Sequence, residues 1–194
     1  EYMVDLYYEN NPKFIMVCSP NNPTGNIVSQ DQLEKLLNEV ECPVIVDEAY
    51  AEFTNETAID LVEKYNHLIV LRTFSKAYGI AGARVGYAIS SKEIIDAIKL
   101  CIPPYNLNFF AQQAALQSIK GIEDYRKYIM VLKSNKDKLY NILYDHKLVE
   151  KVYPSYGNFL LVKCKDNEIA TKLKEKSILV RDFSKHPLLP NCVR

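Results

Sequence analysis

Short apolar runs alternate with amphipathic stretches along the first hundred residues. The segments KFIMVCSP, CPVIVDEAY and HLIVLRTFS each hold a brief apolar run and are predicted to be buried strands, and ARVGYAIS is predicted to be a fourth. Between the first two strands, SQDQLEKLLNEV repeats apolar residues at helical spacing, with Ser29 as its N-cap, and SKEIIDAIKL predicts a second helix. Strands that alternate with helices favour an α/β fold with a mostly parallel sheet.

The pattern changes after the two prolines of CIPPYNLN. A long helical stretch is predicted from residue 108 to 146, with an interruption at Gly121. A strand in KVYPSYGNFLLVKCK, a short helix in NEIATKLKEK and a strand in SILVRDF follow. The sequence therefore predicts a larger domain over residues 1–104 and a small α+β domain over residues 105–194, with the boundary near Pro103–Tyr105.

Composition narrows the class of protein. The 194 residues are 48% hydrophobic and 25% charged, as in ordinary globular proteins, and 24 basic side chains balance 24 acidic ones. Without a basic stripe or a long apolar run, we expect neither a nucleic acid nor a membrane as partner. The five scattered cysteines and three scattered histidines indicate reduced thiols in a cytoplasmic protein and no metal site. Because the chain begins with glutamate and ends directly after the strand-like NCVR, we expect it to be a fragment.

Polar side chains follow three of the predicted strands. The first strand runs into NNPTG, the second ends in Asp47, Glu48 and Tyr50, and the third ends at Lys76 after two hydroxyl residues. Ligands of α/β proteins bind beyond the carboxyl ends of parallel strands. Taken singly, these pieces are typical of a turn, a helix cap and a surface charge. Their coincidence at neighbouring strand ends favours a functional site, in which Glu48 is expected to be a structural partner.

The lysine and the aspartate match the needs of pyridoxal phosphate. A lysine amine can bind an aldehyde covalently as a Schiff base, which assigns Lys76. A carboxylate at the pyridine nitrogen keeps that nitrogen protonated, so that the ring can accept electrons, and Asp47 suits this role.

Other residues match the rest of the same cofactor. Asn22 and Tyr50 offer an amide and a hydroxyl to its phenolic oxygen. Two hydroxyls and a planar guanidinium suit its phosphate. These are Thr73, Ser75 and Arg84.

The motifs SPNNPTG, VDEAY and TFSKAYGIAGARVGY resemble those of the fold-type I, pyridoxal-phosphate-dependent aminotransferases. Within that family the chain most resembles the histidinol-phosphate aminotransferases of histidine biosynthesis, also through PPYNLNFFAQQAAL, YPSYGNFLLVK and SILVRDF. The resemblance implies a large cofactor-binding domain, a small domain, a homodimer, and transfer of an amino group from glutamate, leaving 2-oxoglutarate. It also implies an N-terminal part that this sequence lacks, so we expect no activity from the chain alone.

The resemblance implies the same cofactor roles and adds roles towards the substrate. Lys76 would move a proton between the substrate α-carbon and the cofactor. Arg194 would bind the substrate α-carboxylate, and Arg181 would lie near the distal phosphate of a phosphorylated amine. Tyr105 and Asn106 would face the substrate at the domain junction.

Three alternatives stay open. A threonine-phosphate decarboxylase of the same fold also handles a phosphorylated amine and has a similar ending. An aromatic or broad-specificity aminotransferase would share the cofactor residues. A catalytically inactive scaffold relative is the alternative outside the enzymes, and the joint presence of Lys76, Asp47 and Arg84 argues against it.

Overall fold

Two β-sheets organise the chain. The computed structural model describes residues 2–194. The first sheet contains β1 (Ile15–Cys18), β2 (Val44–Asp47), β3 (Leu68–Thr73) and β4 (Gly86–Ile89), in that spatial order. Strands β1, β2 and β3 are parallel, and β4 pairs antiparallel with β3. The predicted α/β class with a mostly parallel sheet is confirmed, and its three parallel carboxyl ends lie side by side.

Three helices accompany this sheet: α1 (Tyr2–Asn10), α2 (Gln30–Glu39) and α3 (Lys92–Cys101). Helix α2 begins with a capping box, in which the Ser29 side chain accepts from Gln32 N at 3.3 Å and the Gln32 side chain accepts from Ser29 N at 3.0 Å. The predicted N-cap is therefore confirmed. Helix α1 was missing from the sequence prediction, since its stretch buries no residue and carries little amphipathic signal.

The main core lies between α2 and the first sheet. Val44, Leu68 and Val70 are completely buried on β2 and β3, and α2 contributes Leu36 and Leu37. Burying one such side chain stabilises the fold by about 1.5–3 kcal/mol. This core supports the strands from which the polar residues project.

The second half adds helices and a smaller sheet. Its helices are α4 (Phe109–Lys120), α5 (Ile122–Tyr144) and α6 (Ile169–Glu175). Strands β5 (Val149–Tyr153), β6 (Leu161–Cys164) and β7 (Cys192–Val193) form an antiparallel sheet in that order. The interruption of the long helix at Gly121 is confirmed, because α4 ends and α5 begins around this residue. The division of the chain at residue 104 stays a prediction.

Two strand predictions in this half were wrong. KVYPSYGNFLLVKCK forms two strands, because Pro154 lacks an N–H for the ladder and the segment around Gly157 turns the chain back. SILVRDF forms no regular strand: Asp182 makes one isolated bridge to Val193. The short β7 pairs with β6, so the SILVRDF segment cannot pair with β6 and lies at the edge of the sheet. Its Leu179 is 80% exposed.

The two halves meet beside the NNPTG turn. Tyr156 N donates to the Gly25 carbonyl at 2.8 Å, and within the second half the Lys136 ammonium donates to the carbonyl of Ser155, the residue before Tyr156. Gly25 has a φ of +78°, and a Cβ at this position would collide with Ser155. A glycine is therefore required where the turn touches the second half.

The five cysteines differ in their exposure to solvent. All five cysteines are free thiols: Cys164 and Cys192 are buried, Cys18 and Cys42 are partly buried, and Cys101 is exposed. Among the helices of residues 2–194, none has both the length and the apolar composition to cross a membrane.

Candidate active site

A cleft of about 250 Å³ opens at the carboxyl ends of β1 and β2. Four predicted site residues line it: Asn22, Asp47, Tyr50 and Lys76. The remaining lining residues are Cys18, Pro20 and Ala49. The convergence expected from the strand ends is thus present, and the chemical roles of the four residues stay predictions.

The strand register determines which side chains face the cleft. Cys18 is the register partner of Asp47, which in turn is the partner of Leu71 on β3, so these residues share one face of the sheet. The Asp47 carboxylate accepts from Ala49 N at 2.9 Å, and the Asp47 carbonyl accepts from Ser19 N at 3.0 Å. Backbone bonds therefore fix both the strand end and its carboxylate.

Lys76 and Tyr50 lie next to each other. The Lys76 ammonium is 5.3 Å from the centre of the Tyr50 ring, within the range of a cation–π contact. Tyr50 is only 7% exposed and packs edge-on against Phe159 with ring centres 5.1 Å apart. The lysine itself is exposed at the bend after β3, so its amine is accessible from solvent.

The predicted phosphate-binding residues fall into two groups. The Thr73 hydroxyl lies 3.0 Å from the Ser75 hydroxyl and accepts from Ser75 N at 3.1 Å. Arg84 adopts a left-handed backbone with φ of 57°, and its guanidinium donates to the Ala81 carbonyl at 3.1 Å. The Thr73 and Ser75 hydroxyls are therefore hydrogen-bonded to each other in the segment before Lys76. The Arg84 side chain instead binds the backbone of the turn that precedes it.

Two of the predicted substrate residues lie close together. Arg194 donates from Nη1 to Asn22 Oδ1, and its guanidinium carbon is 5.3 Å from the centre of the Phe159 ring. Arg181 pairs with Arg194 through two backbone hydrogen bonds of 2.9 and 2.8 Å. The end of the chain is thereby brought to the cleft although 172 residues separate Arg194 from Asn22.

The other two predicted substrate residues remain apart from the cleft. Tyr105 is 97% exposed, with φ of 59°, and Asn106 is exposed beside it. Their contact with a substrate stays a prediction.

Sequence reasoning missed four residues of this region. Cys18 could have been found from the alternation of side chains along β1, and Pro20 and Ala49 from their places beside the motifs. Phe159, which links Tyr50 to Arg194, carries no local signal, because its partners lie more than thirty residues away in the chain.

The one titratable lining residue with a resolved shift is Cys18. Burial, and secondly the charge of Asp47, raise the pKa of its thiol. The thiol therefore stays protonated at neutral pH and is a poor nucleophile. Among residues 2–194, no three His, Cys, Asp or Glu side chains cluster as metal ligands.

Comparison with known proteins identifies the family. The family Aminotransferase class I and II matches residues 3–194. The chain belongs to this aminotransferase family. A histidinol-phosphate aminotransferase from Ruminiclostridium cellulolyticum is 40% identical over 194 residues, covering 99% of this chain and 54% of the relative. A second, from Archaeoglobus fulgidus, is 41% identical over 180 residues, covering 93% of this chain and 52% of the relative. The chain thus spans about half the length of the curated aminotransferases it matches.

Solved structures agree on the fold. A histidinol-phosphate aminotransferase from Sinorhizobium meliloti, in complex with pyridoxal-5'-phosphate, has a TM-score of 0.88 at 22% identity and covers 99% of this chain and 54% of that one. An L-threonine-O-3-phosphate decarboxylase from Porphyromonas gingivalis has a TM-score of 0.82 at 26% identity and covers 95% of this chain and 59% of that one. Aminotransferase and decarboxylase therefore share this architecture.

Proposed function

We propose that the whole protein is a pyridoxal-phosphate-dependent aminotransferase that moves the amino group of glutamate onto imidazole-acetol phosphate, giving 2-oxoglutarate and histidinol phosphate. The observation that carries the proposal is the presence of the Lys76 amine and the Asp47 carboxylate in one cleft. The family assignment and the names of relatives about 40% identical support the same reaction. Histidine biosynthesis in the cytoplasm, by a homodimer, belongs to this proposal.

The donor set fits the cofactor. Pyridoxal phosphate supplies an electrophilic aldehyde and a ring that withdraws electrons from the substrate. An amine for the aldehyde, a carboxylate for the pyridine nitrogen, and an amide and a phenol for the ring oxygen all line the cleft: Lys76, Asp47, Asn22 and Tyr50. The phosphate of the cofactor would be bound by Thr73, Ser75 and Arg84. The hydroxyls of Thr73 and Ser75 are hydrogen-bonded to each other.

Each of these residues has a distinct task. The Lys76 amine takes and returns a proton at the α-carbon of the substrate, as a positioned general base and acid. Asp47 holds a proton at the cofactor nitrogen from a fixed strand end. The Tyr50 ring lies beside the Lys76 amine, and its edge-on contact with Phe159 restricts the ring.

Two neighbouring arginines suit an anionic substrate. The Arg194 guanidinium contacts Asn22 of the cleft, and Arg181 is paired with Arg194 through two backbone hydrogen bonds. We assign Arg194 to a carboxylate, since a guanidinium binds it with two parallel bonds, and Arg181 to the phosphate end. Arg194 must leave Asn22 when the substrate carboxylate arrives.

A decarboxylase acting on threonine phosphate is the second candidate. It is favoured by the likeness in fold to the Porphyromonas gingivalis enzyme at 26% identity. The same lysine and aspartate would serve it, because both reactions begin with a bond broken at the α-carbon. The two candidates differ in the bond that is broken, and hence in their products.

Product analysis of the whole protein tests the proposal. The purified protein, loaded with pyridoxal phosphate, is given glutamate with imidazole-acetol phosphate and, separately, threonine phosphate. We expect 2-oxoglutarate and histidinol phosphate in equal amounts from the first mixture and no carbon dioxide from the second. Carbon dioxide release without amino transfer would establish the decarboxylase instead, and neither product would contradict both candidates.

A further inference from the structure

A buried ion pair lies on the face of the first sheet opposite the cleft. Side chains alternate along a strand, so Glu48 and Arg72 point away from the face that Asp47 and Thr73 share. Glu48 Oε2 accepts from Arg72 Nε at 2.9 Å and from Arg72 Nη2 at 2.7 Å. The two side chains are 2% and 16% exposed. The ion pair therefore links the carboxyl ends of β2 and β3 on the face of the sheet opposite the cleft.

The Glu48 carboxylate has further partners. Its Oε1 accepts from Ala58 N at 2.5 Å, and its Oε2 accepts from the Thr57 hydroxyl at 3.0 Å. Arg72 Nη2 also donates to the Thr57 hydroxyl at 2.9 Å. The Glu48 carboxylate thus ties the two ends of the segment 48–58 together, and this segment contains Tyr50.

Stability alone does not account for this arrangement. Removing two charges from water costs free energy that a buried ion pair only partly recovers, and apolar pairs of similar volume are often equally stable. A fully hydrogen-bonded pair does, however, impose one geometry on the groups around it. The neighbours in the chain are Asp47 before Glu48 and Thr73 after Arg72.

Backbone bonds connect the pair to the cleft. Glu48 N donates to the Leu71 carbonyl at 2.9 Å, and the Glu48 carbonyl accepts from Ala51 N at 3.0 Å. The second bond begins the turn that seats Tyr50. A shift of Glu48 would therefore move Asp47 on one side and Tyr50 on the other.

We propose that Glu48 and Arg72 are positioning residues, which fix the spacing of Asp47, Tyr50 and Thr73 from the back of the sheet. The inference rests on the proposed function, since the spacing matters for pyridoxal phosphate. Neither residue lines the cleft, so their effect on cofactor and turnover is indirect.

The test uses the whole protein with Glu48→Gln, which keeps the volume and an acceptor but removes the charge. We expect Kd for pyridoxal phosphate to rise about tenfold, kcat to fall by a similar factor and KM for glutamate to stay unchanged, since small misplacements of reacting groups cost roughly this much or more. We also expect the pH at which the absorbance of the bound cofactor changes to shift. Glu48→Asp, which is one methylene too short to keep all its partners, should not restore these values.

A matched control is Glu34→Gln, which breaks the exposed ion pair with Lys64 and should leave every readout at the wild-type value. If Glu48→Gln lowers only the unfolding temperature, with Kd and the absorbance titration unchanged, the pair is merely structural and the inference is wrong. If Glu48→Gln does not fold, Thr57→Val decides by the same readouts, because it retains the ion pair but removes the hydroxyl that both partners share. Failure of the wild type to bind the cofactor through Lys76 would instead contradict the proposed function.

Discussion

The two sides of the candidate active site are built differently. On the strand side, Asp47 and Tyr50 belong to a segment held by buried Glu48, which is 2% exposed and receives four side-chain or backbone donors. On the side formed by the second half of the chain, Arg181 is exposed in a segment that forms no regular strand. Arg194 makes two backbone hydrogen bonds to Arg181 and one side-chain hydrogen bond to Asn22.

The difference between the two sides matches the two tasks of the proposed site, proton transfer and substrate binding. Under the proposed function, the groups that transfer protons need a fixed geometry, and the residues assigned to this task follow the ends of parallel strands. Under the same proposal, Arg194 has to exchange Asn22 for a substrate carboxylate, and only one side-chain hydrogen bond opposes that exchange. Variants on the strand side should therefore affect cofactor and kcat, whereas variants on the other side should affect KM.

The largest effect is expected from Lys76→Ala. Removing a positioned general base lowers the rate by about 10²–10⁴-fold, and loss of the covalent attachment should reduce it further. Steady-state kinetics of the whole protein measures the change. Lys92→Ala, on the exposed face of α3, is the control and should retain full turnover. Unchanged turnover in Lys76→Ala would contradict the assignment of the lysine.

Next come two core leucines, one in each sheet. Leu68 on β3 and Leu161 on β6 are both fully buried, so Leu68→Ala and Leu161→Ala should each lower the free energy of unfolding by about 2–5 kcal/mol. Urea unfolding measures this, and fluorescence of bound pyridoxal phosphate follows its release. We expect earlier release of cofactor in Leu68→Ala only. Equally early release of the cofactor in both variants would mean that cofactor binding depends on both sheets alike.

The contact between the halves can be tested with two glycines. Gly25 and Gly79 both have positive φ, but a Cβ would collide with Ser155 at Gly25 and would meet nothing within 4 Å at Gly79. Gly79→Ala should cost about 1–2 kcal/mol from the backbone alone. Gly25→Ala should cost more and also raise KM for glutamate, because it displaces the turn whose Asn22 contacts Arg194, the residue proposed to bind the substrate carboxylate. Thermal unfolding measures the loss of stability in the two variants, and steady-state kinetics measures KM. An equal loss of stability in the two variants, with KM unchanged, would argue against a close contact between Gly25 and Ser155.

The smallest effect concerns the pH dependence of stability near Glu52. Burial raises the pKa of this carboxyl, and the charge of Arg72 opposes the rise. The folded protein therefore keeps the proton at pH values where the unfolded chain has lost it. As a result, the free energy of unfolding falls as pH rises from the ordinary carboxyl pKa through the raised one.

Glu52→Gln, which does not titrate, should remove this slope. It should also stabilise the protein near neutral pH, because it removes a carboxyl whose charged form is disfavoured by burial. Urea unfolding at several pH values measures both effects. A slope that persists in Glu52→Gln would assign it to another group.

The sequence predicts the strand side of the site better than the other side. Asp47 and Lys76 follow strongly apolar strands, and parallel pairing of those strands brings their ends together without further information. The contact of Arg194 with Asn22 depends on how two separate sheets pack, which no local pattern encodes. For the same reason the sequence did not reveal Phe159, and the marginal SILVRDF segment looked like a strand although β7 occupies the place beside β6.

Borohydride trapping tests the central claim most directly. The whole protein is incubated with pyridoxal phosphate, reduced with borohydride and digested, and the modified lysine is located by mass spectrometry. The account predicts one dominant label, on Lys76, and its disappearance in Lys76→Ala with no other lysine replacing it. A label spread over exposed lysines such as Lys92 and Lys127, or a dominant label elsewhere, would contradict it.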